Sequence, residues 1–185
     1  MASNDKMHDP SSSTQTRRQY KDDVYFMSVA LMFAKKSPDP STKVGACIVN
    51  EGGEIVGVGF NKMPDGCEGK FPWKHDTEDE DPLNTKGMYV CHAELNAIVN
   101  KTSVDVKGCT IYVTLFPCNE CAKLIVQSGI KNVVYLSNKH KERNGTKAAF
   151  RILDEASTPE NKIYRQFESK QDVRDLLDSI DPFAE

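Results

Sequence analysis

Along residues 20–36, apolar side chains recur at helical spacing, Val24, Met27, Ala30, Leu31 and Ala34, and the pattern predicts an amphipathic helix. Ser37-Pro38-Asp39-Pro40 ends it, because proline lacks an N–H and pushes the residue before it into extended backbone. Two β-branched runs follow, residues 44–50 and 54–60, separated by Glu51-Gly52-Gly53, a connection of hairpin length. They predict two antiparallel strands. Residues 61–89 hold no period, contain Pro64, Pro72 and Pro82, and carry the acidic cluster Asp76, Glu78, Asp79, Glu80 and Asp81. A connection this long inside a compact domain is usually functional or mobile. The charge run reads as a solvated face, while Phe71 and Trp73 call for a packing surface.

A regular alternation then takes over. The pattern predicts a helix from residue 91 or 92 to about 101, a strand over 109–115, and a helix over 118–128 with Gly129 suited to its C-terminal cap. A strand over 132–137, a helix over 146–156, a short strand over 162–167 and a last helix over 172–180 follow. Strands alternating with helices need a sheet that is at least partly parallel and covered on both faces. The expected fold is α/β, a three-layer α/β/α sandwich on a mixed five-stranded sheet whose first two strands are a hairpin. Residues 1–19, polar and aperiodic, read as a disordered tail, 20–167 as one domain, and 168–185 as a C-terminal helix and tail.

Composition narrows the function. With 185 residues the chain suits a single domain. No apolar run approaches the roughly 18–20 residues of a membrane span, and the amino terminus lacks the apolar core of a signal peptide. The expected location is the cytoplasm or nucleus, with no membrane partner. Twenty-four basic against twenty-seven acidic residues give a net charge of -3. That balance argues against a protein that tracks a nucleic acid and leaves a small anionic ligand open. Six cysteines, Cys47, Cys67, Cys91, Cys109, Cys118 and Cys121, are too few for a disulfide scaffold and point to metal or thiol chemistry. Cys47 and Cys109, in strand sequences, read as small buried hydrophobes.

The chemistry concentrates in His92-Ala93-Glu94 and in Pro117-Cys118-Asn119-Glu120-Cys121. Cys118 and Cys121 stand three apart at a helix start, on one face, where the positive helix end favours thiolates. With His92 at the start of the preceding helix, the set offers one nitrogen and two sulfurs, which suits Zn²⁺. Three protein ligands leave the fourth position to water, as in catalytic rather than structural sites. Glu94, two residues from His92, can reach that water without ligating the metal. Two rivals remain: a structural zinc interaction module with Cys91 as fourth ligand, and a redox dithiol at Cys118 and Cys121. Both leave Glu94 without a role.

The pattern H-x-E followed by P-C-x-x-C is the zinc deaminase signature. On it the chain resembles the cytidine and deoxycytidylate deaminase superfamily over residues 20–165. Val44-Gly45-Ala46-Cys47-Ile48-Val49, Gly59-Phe60-Asn61-Lys62-Met63-Pro64, Val90 to Ile98 and Leu115 to Lys123 carry the likeness, and the prolonged loop before His92 resembles the mononucleotide branch. The resemblance implies hydrolysis of dCMP to dUMP and ammonia, supplying thymidylate synthesis, with one zinc on His92, Cys118 and Cys121 and Glu94 as proton carrier. It implies that the Ala93 N–H reads the pyrimidine O2, that a carbonyl near Thr114 or Leu115 receives the amine, and that Asn61 bonds the sugar. Ser37, Ser41, Thr42 and Lys43 occupy the turn where family members place groups for the 5′-phosphate, although many bacterial relatives have an arginine there and this chain does not. The resemblance further implies a homohexamer activated by Mg²⁺-dCTP and inhibited by Mg²⁺-dTTP at the turn of Asn61, Lys62 and Met63, with lysine at 62 where many relatives have glycine. A tRNA deaminase shares the zinc motif, and the acidic balance weighs against it. Cys47, Cys67 and His75 are the side chains a second, structural zinc would draw on, and none is predicted.

Overall fold

The computed structural model describes residues 10–74 and 81–179, with side chains from residue 18 onward. His75, most of the acidic cluster and residues 1–9 lie outside the described residues. The strands are β1 (Gly45–Val49), β2 (Ile55–Phe60), β3 (Thr110–Leu115), β4 (Asn132–Ser137) and β5 (Tyr164–Gln166). The helices are α1 (Pro10–Lys35), α2 (Ala93–Val99), α3 (Asn119–Gln127), α4 (Asn144–Glu155) and α5 (Lys170–Asp178).

One sheet forms in the order β2-β1-β3-β4-β5, antiparallel at β2-β1 and β1-β3 and parallel at β3-β4 and β4-β5. Successive strand residues point to opposite faces, so each buried strand feeds two cores. Ala46, Ile48, Ile111, Val113 and Val133 pack with Ala97 of α2, Ile125 of α3 and Leu153 of α4. Cys47, Val49, Tyr112 and Val134 pack with Met27 and Ala30 of α1 and with Val173 of α5. The expected three-layer sandwich is therefore the observed one. No helix among the described residues is long and apolar enough to cross a membrane.

Most elements differ from the expected ones by a residue or two at their ends, where cap residues stand outside the regular hydrogen-bond pattern. The larger difference is α1, which begins at Pro10 rather than at residue 20, so the disordered reading of the tail does not hold for residues 10–19. An apolar period was the expected signal, yet a helix nucleated on a packed segment needs no buried face to extend by one bond per residue. Pro10 suits the first turn, where its missing N–H costs nothing. The last strand is also shorter than 162–167, because the sheet edge pairs only Tyr164, Arg165 and Gln166 with β4.

A clasp joins α1 to β3 and β5. Asp23 of α1 is buried and accepts a hydrogen bond from the Tyr112 hydroxyl at 2.8 Å and bonds from the Arg165 guanidinium at 2.7 Å to both carboxylate oxygens. Burial, and then the charge of Asp23, push the Tyr112 phenol well above its ordinary range.

The pairing brings the start of β1 and the ends of β2, β3 and β4 to one edge of the sheet, the crevice where open α/β sheets bind ligands. Close approach of α2 to β2 fixes that edge. A Cβ on Gly59 would stand 2.3 Å from the Ala93 carbonyl oxygen and 2.5 Å from the Ala97 nitrogen. Gly59→Ala is therefore expected to push α2 off the sheet at a cost of about 1–3 kcal/mol, lowering the melting temperature by roughly 2–12 °C. An unchanged thermal melt would show that α2 tolerates the shift.

Candidate active site

His92 is the N-cap of α2 and Cys118 the N-cap of α3, and neither makes a side-chain capping hydrogen bond. Both are thus free to point outward from adjacent helix starts, with Cys121 in the first turn of α3. The His92 Nδ1 lies 3.4 Å from the sulfurs of both Cys118 and Cys121. The ligand atoms of the three residues all fall within 4.8 Å of one another. A tetrahedral zinc with ordinary bond lengths sets nitrogen and sulfur ligands about 3.5 Å apart, so the donor set fits that ion in kind and in spacing. Cys91 does not join the group. Its backbone pairs with Lys62, and its thiol sits within the fields of Lys62, Asp65 and Cys67.

The three groups titrate together. A hydrogen bond from the Cys121 thiol, opposed by burial and helped by His92, pulls Cys118 down to about 4. Cys121 keeps its proton and is pushed up, first by that same bond and then by burial. The bond to Cys118 raises His92 to about 9. Binding a cation on both thiolates would therefore release protons. Cys47 is different in kind: it is fully buried, and burial alone raises its thiol to about 12.

Glu94 lies in the first turn of α2, 3% exposed. Burial foremost pushes its carboxyl up, against the pull of His92, and it makes a side-chain hydrogen bond with Cys121. It stands beside the donor set without belonging to it. A cavity of about 300 Å³ opens here, lined among others by Asn61, His92, Ala93, Glu94, Leu115 and Cys118.

The other expected site residues divide. Ala93 and Leu115 line the cavity, whereas Thr114 turns its hydroxyl to accept from the Gly45 N–H at 3.1 Å. Asn61 lines it too, but most of its amide is in use. The Nδ2 donates to Asp39 Oδ2 at 3.1 Å and to the Thr42 carbonyl at 2.9 Å, and the Oδ1 accepts from the Val44 N–H at 2.8 Å. One lone pair of Oδ1 is left to accept from a ligand hydroxyl. Ser37 is buried, donating to the Asn61 carbonyl at 2.9 Å, and Thr42 lines the cavity. Ser41 donates to Asp39 at 2.8 Å, and Lys43 is exposed, away from the cavity lining. Lys62 pairs with Asp65, and the Met63 side chain is 1% exposed.

Two residues at the site went unnoticed in the sequence. Asp39, read only as part of a helix stop, accepts from the N–H groups of Ser41 and Thr42, the Ser41 hydroxyl, Asn61 and Lys86. Burial alone would raise its carboxyl, but Lys86 and then the Ser41 and Thr42 N–H groups outweigh it and bring the value down to about 2. Lys86, in the aperiodic loop, has its ammonium 2.6 Å from Asp39 Oδ2 and lines the cavity. No local pattern marks it, because its partner lies 47 residues away.

Comparison with known proteins agrees with this geometry. Residues 20–137 match the family described as the cytidine and deoxycytidylate deaminase zinc-binding region. The deoxycytidylate deaminase of Mus musculus is 58% identical over 126 residues, 68% of this chain and 70% of the mouse protein. That of Homo sapiens is 52% identical over 140 residues, 75% of this chain and 78% of the human one. Among solved structures, the dCMP deaminase from the cyanophage S-TIM5 in complex with dCMP and dUMP is 25% identical. It superposes with a TM-score of 0.56 over 77% of this chain and 94% of its own. A family match over well more than half of the sequence, laid on a His/Cys/Cys donor set with a buried glutamate beside it, shows that the chain belongs to the cytidine and deoxycytidylate deaminase family of zinc-binding enzymes.

Proposed function

We propose that this protein hydrolyses dCMP to dUMP and ammonia, in the cytoplasm or nucleus, and so supplies thymidylate synthesis. The observation that carries the reading is the buried Glu94 carboxyl beside the His92, Cys118 and Cys121 set, on the wall of a cavity sized for one small ligand. Relatives at 52–58% identity that bear the name deoxycytidylate deaminase support the choice of substrate. Zn²⁺ held by the three residues would supply Lewis acidity and a water acidified into the physiological range.

The chain's own residues do the rest. Glu94 takes the proton of the attacking water, gives it to ring nitrogen N3 as oxygen bonds to C4, then carries the second proton to the departing amine. One carboxyl serves as base and acid: the water's oxygen stays on C4, one of its hydrogens stays on N3, and the other leaves with the 4-amino group as ammonia. A raised carboxyl suits this double duty, since burial strengthens its hold on a proton and so lets it take one from water before passing it to the ring. In this reading the Ala93 N–H, in the first turn of α2, holds O2, a backbone carbonyl near Thr114 or Leu115 receives the amine, and Asn61 accepts from a sugar hydroxyl; that Ala93, Leu115 and Asn61 line the cavity supports it.

Regulation by Mg²⁺-dCTP and Mg²⁺-dTTP in a homohexamer belongs to the same proposal. Its support is local: the Lys62 N–H donates to the Cys91 carbonyl at 3.1 Å and the Cys91 N–H to the Lys62 carbonyl at 2.8 Å. The Asn61-Lys62-Met63 turn is thereby bonded to the residue that precedes His92, so two effectors could bias the site through two states of that turn.

A substrate panel tests the reading. Zinc-loaded protein is given dCMP, deoxycytidine, CMP and a structured RNA, with and without dCTP, and loss of cytosine absorbance or formation of inosine is followed. The expected result is preferential turnover of dCMP, with dCTP raising the rate at low substrate. Inosine formation in the RNA, or no turnover of dCMP, would overturn the assignment.

A further inference from the structure

The cavity wall contains a cation that the proposed chemistry leaves unused. Lys86 is 9% exposed, and burying an ammonium is costly unless it is paired. Two of its three N–H groups are committed, to Asp39 Oδ2 at 2.6 Å and to the Ser41 hydroxyl at 2.9 Å. The third remains for a ligand on the cavity side.

The residue is also held rigidly. Its N–H donates to the Lys74 carbonyl at 2.9 Å, and its own carbonyl accepts from Tyr89 and Val90 at 3.1 and 2.9 Å. A lysine fixed in this way acts as a placed point charge rather than as a mobile one. The start of α4 lines the same cavity. Arg143, its N-cap, and Gly145 and Thr146 of its first turn line the wall. That helix has twelve residues, no acidic side chain in its first turn and no side-chain cap. Its leading N–H groups and positive end add to the two cations. Asp39, the acid on this part of the wall, has its carboxylate oxygens turned to donors.

We propose that Lys86, together with Arg143 and the first turn of α4, holds the 5′-phosphate of the nucleotide, and that Lys86 rather than Lys43 selects a nucleoside monophosphate over a free nucleoside. The inference rests on the dCMP reading above and assigns the binding energy of its charged end. Ser41 enters through its hydroxyl on Lys86, and Lys43, exposed, has no part.

The test compares kcat/KM for dCMP and for deoxycytidine in zinc-loaded wild type, Lys86→Gln, Lys86→Arg, Arg143→Gln and Lys43→Ala. A lost charge-assisted bond to phosphate should lower the dCMP to deoxycytidine preference of Lys86→Gln by about 30- to 300-fold, mainly through KM. Arg143→Gln should lower it by about 5- to 10-fold, Lys86→Arg should restore part of it, and Lys43→Ala should change it less than about 3-fold. Inorganic phosphate should compete with dCMP in wild type and about 10-fold more weakly in Lys86→Gln. Equal losses for both substrates in Lys86→Gln would overturn the proposal and leave Lys86 as a brace for Asp39. A collapse of the preference in Lys43→Ala would overturn it too. If Lys86→Gln does not fold, an unchanged preference in Arg143→Gln overturns it. If wild type turns over no dCMP, the functional reading falls by itself. Inorganic phosphate then decides the subsite: a raised melting temperature in wild type but not in Arg143→Gln supports it, and equal shifts overturn it.

Discussion

Glu94→Gln is expected to lower turnover of dCMP by roughly 100- to 10,000-fold while the protein keeps its zinc. The substitution preserves volume at a buried position, so it opens no new void in the fold. It removes only the ability to carry a proton. Because Glu94 touches the Cys121 thiol yet lies outside the ligand set, metal analysis should still return one zinc per chain. Turnover near the wild-type rate would show that another group carries the proton. Loss of zinc together with activity would instead make Glu94 a residue that positions the ligands.

Cys121→Ala should remove zinc and activity together. The residue is 4% exposed and its sulfur lies 3.4 Å from His92 Nδ1, and it supplies one of the three donors of the set. With one ligand missing, affinity falls, and the share of folding stability that a bound ion contributes is lost as well. The variant should therefore melt lower than wild type by several degrees, and a chelator should bring wild type to the same point. Cys91→Ser sharpens the test, since a closed four-ligand site would need that thiol. It is expected to keep both zinc and turnover, and zinc loss in this variant would revive the structural-zinc reading.

The parts of this fold that were legible in the sequence are those written in short-range pattern. The β1–β2 hairpin and β4 announce themselves through β-branched runs, because strands buried on both faces need apolar residues at every position. The donor set was equally plain: each ligand sits at or just inside a helix start, and three-residue spacing there puts side chains on one face. Lys43 and Lys86 show where the reading ran out. In the turn after α1, the Ser41 and Thr42 N–H groups bend toward Asp39, which leaves Lys43 facing outward. Direction in that turn is thus set by a carboxylate whose own partner comes from a distant loop. Charge and composition at 37–43 could not reveal this, because the cation that pairs with Asp39 comes from residue 86.

The clasp of Asp23, Tyr112 and Arg165 bears on how this chain could be shortened. The catalytic motifs end well before residue 137, the last residue of the family match, yet Asp23 finds its counter-ion 142 residues along, at the far edge of the sheet. A fragment cut at the end of the match would keep every zinc and proton-carrying residue. It would also strand a buried carboxylate without its guanidinium and strip β5, Phe167 and Val173 from the α1 side of the core. The chemistry is therefore compact in sequence while the packing that supports it is not, since β5, Phe167 and Val173 close the α1 side of the core, and truncation should be judged by the clasp rather than by the motif.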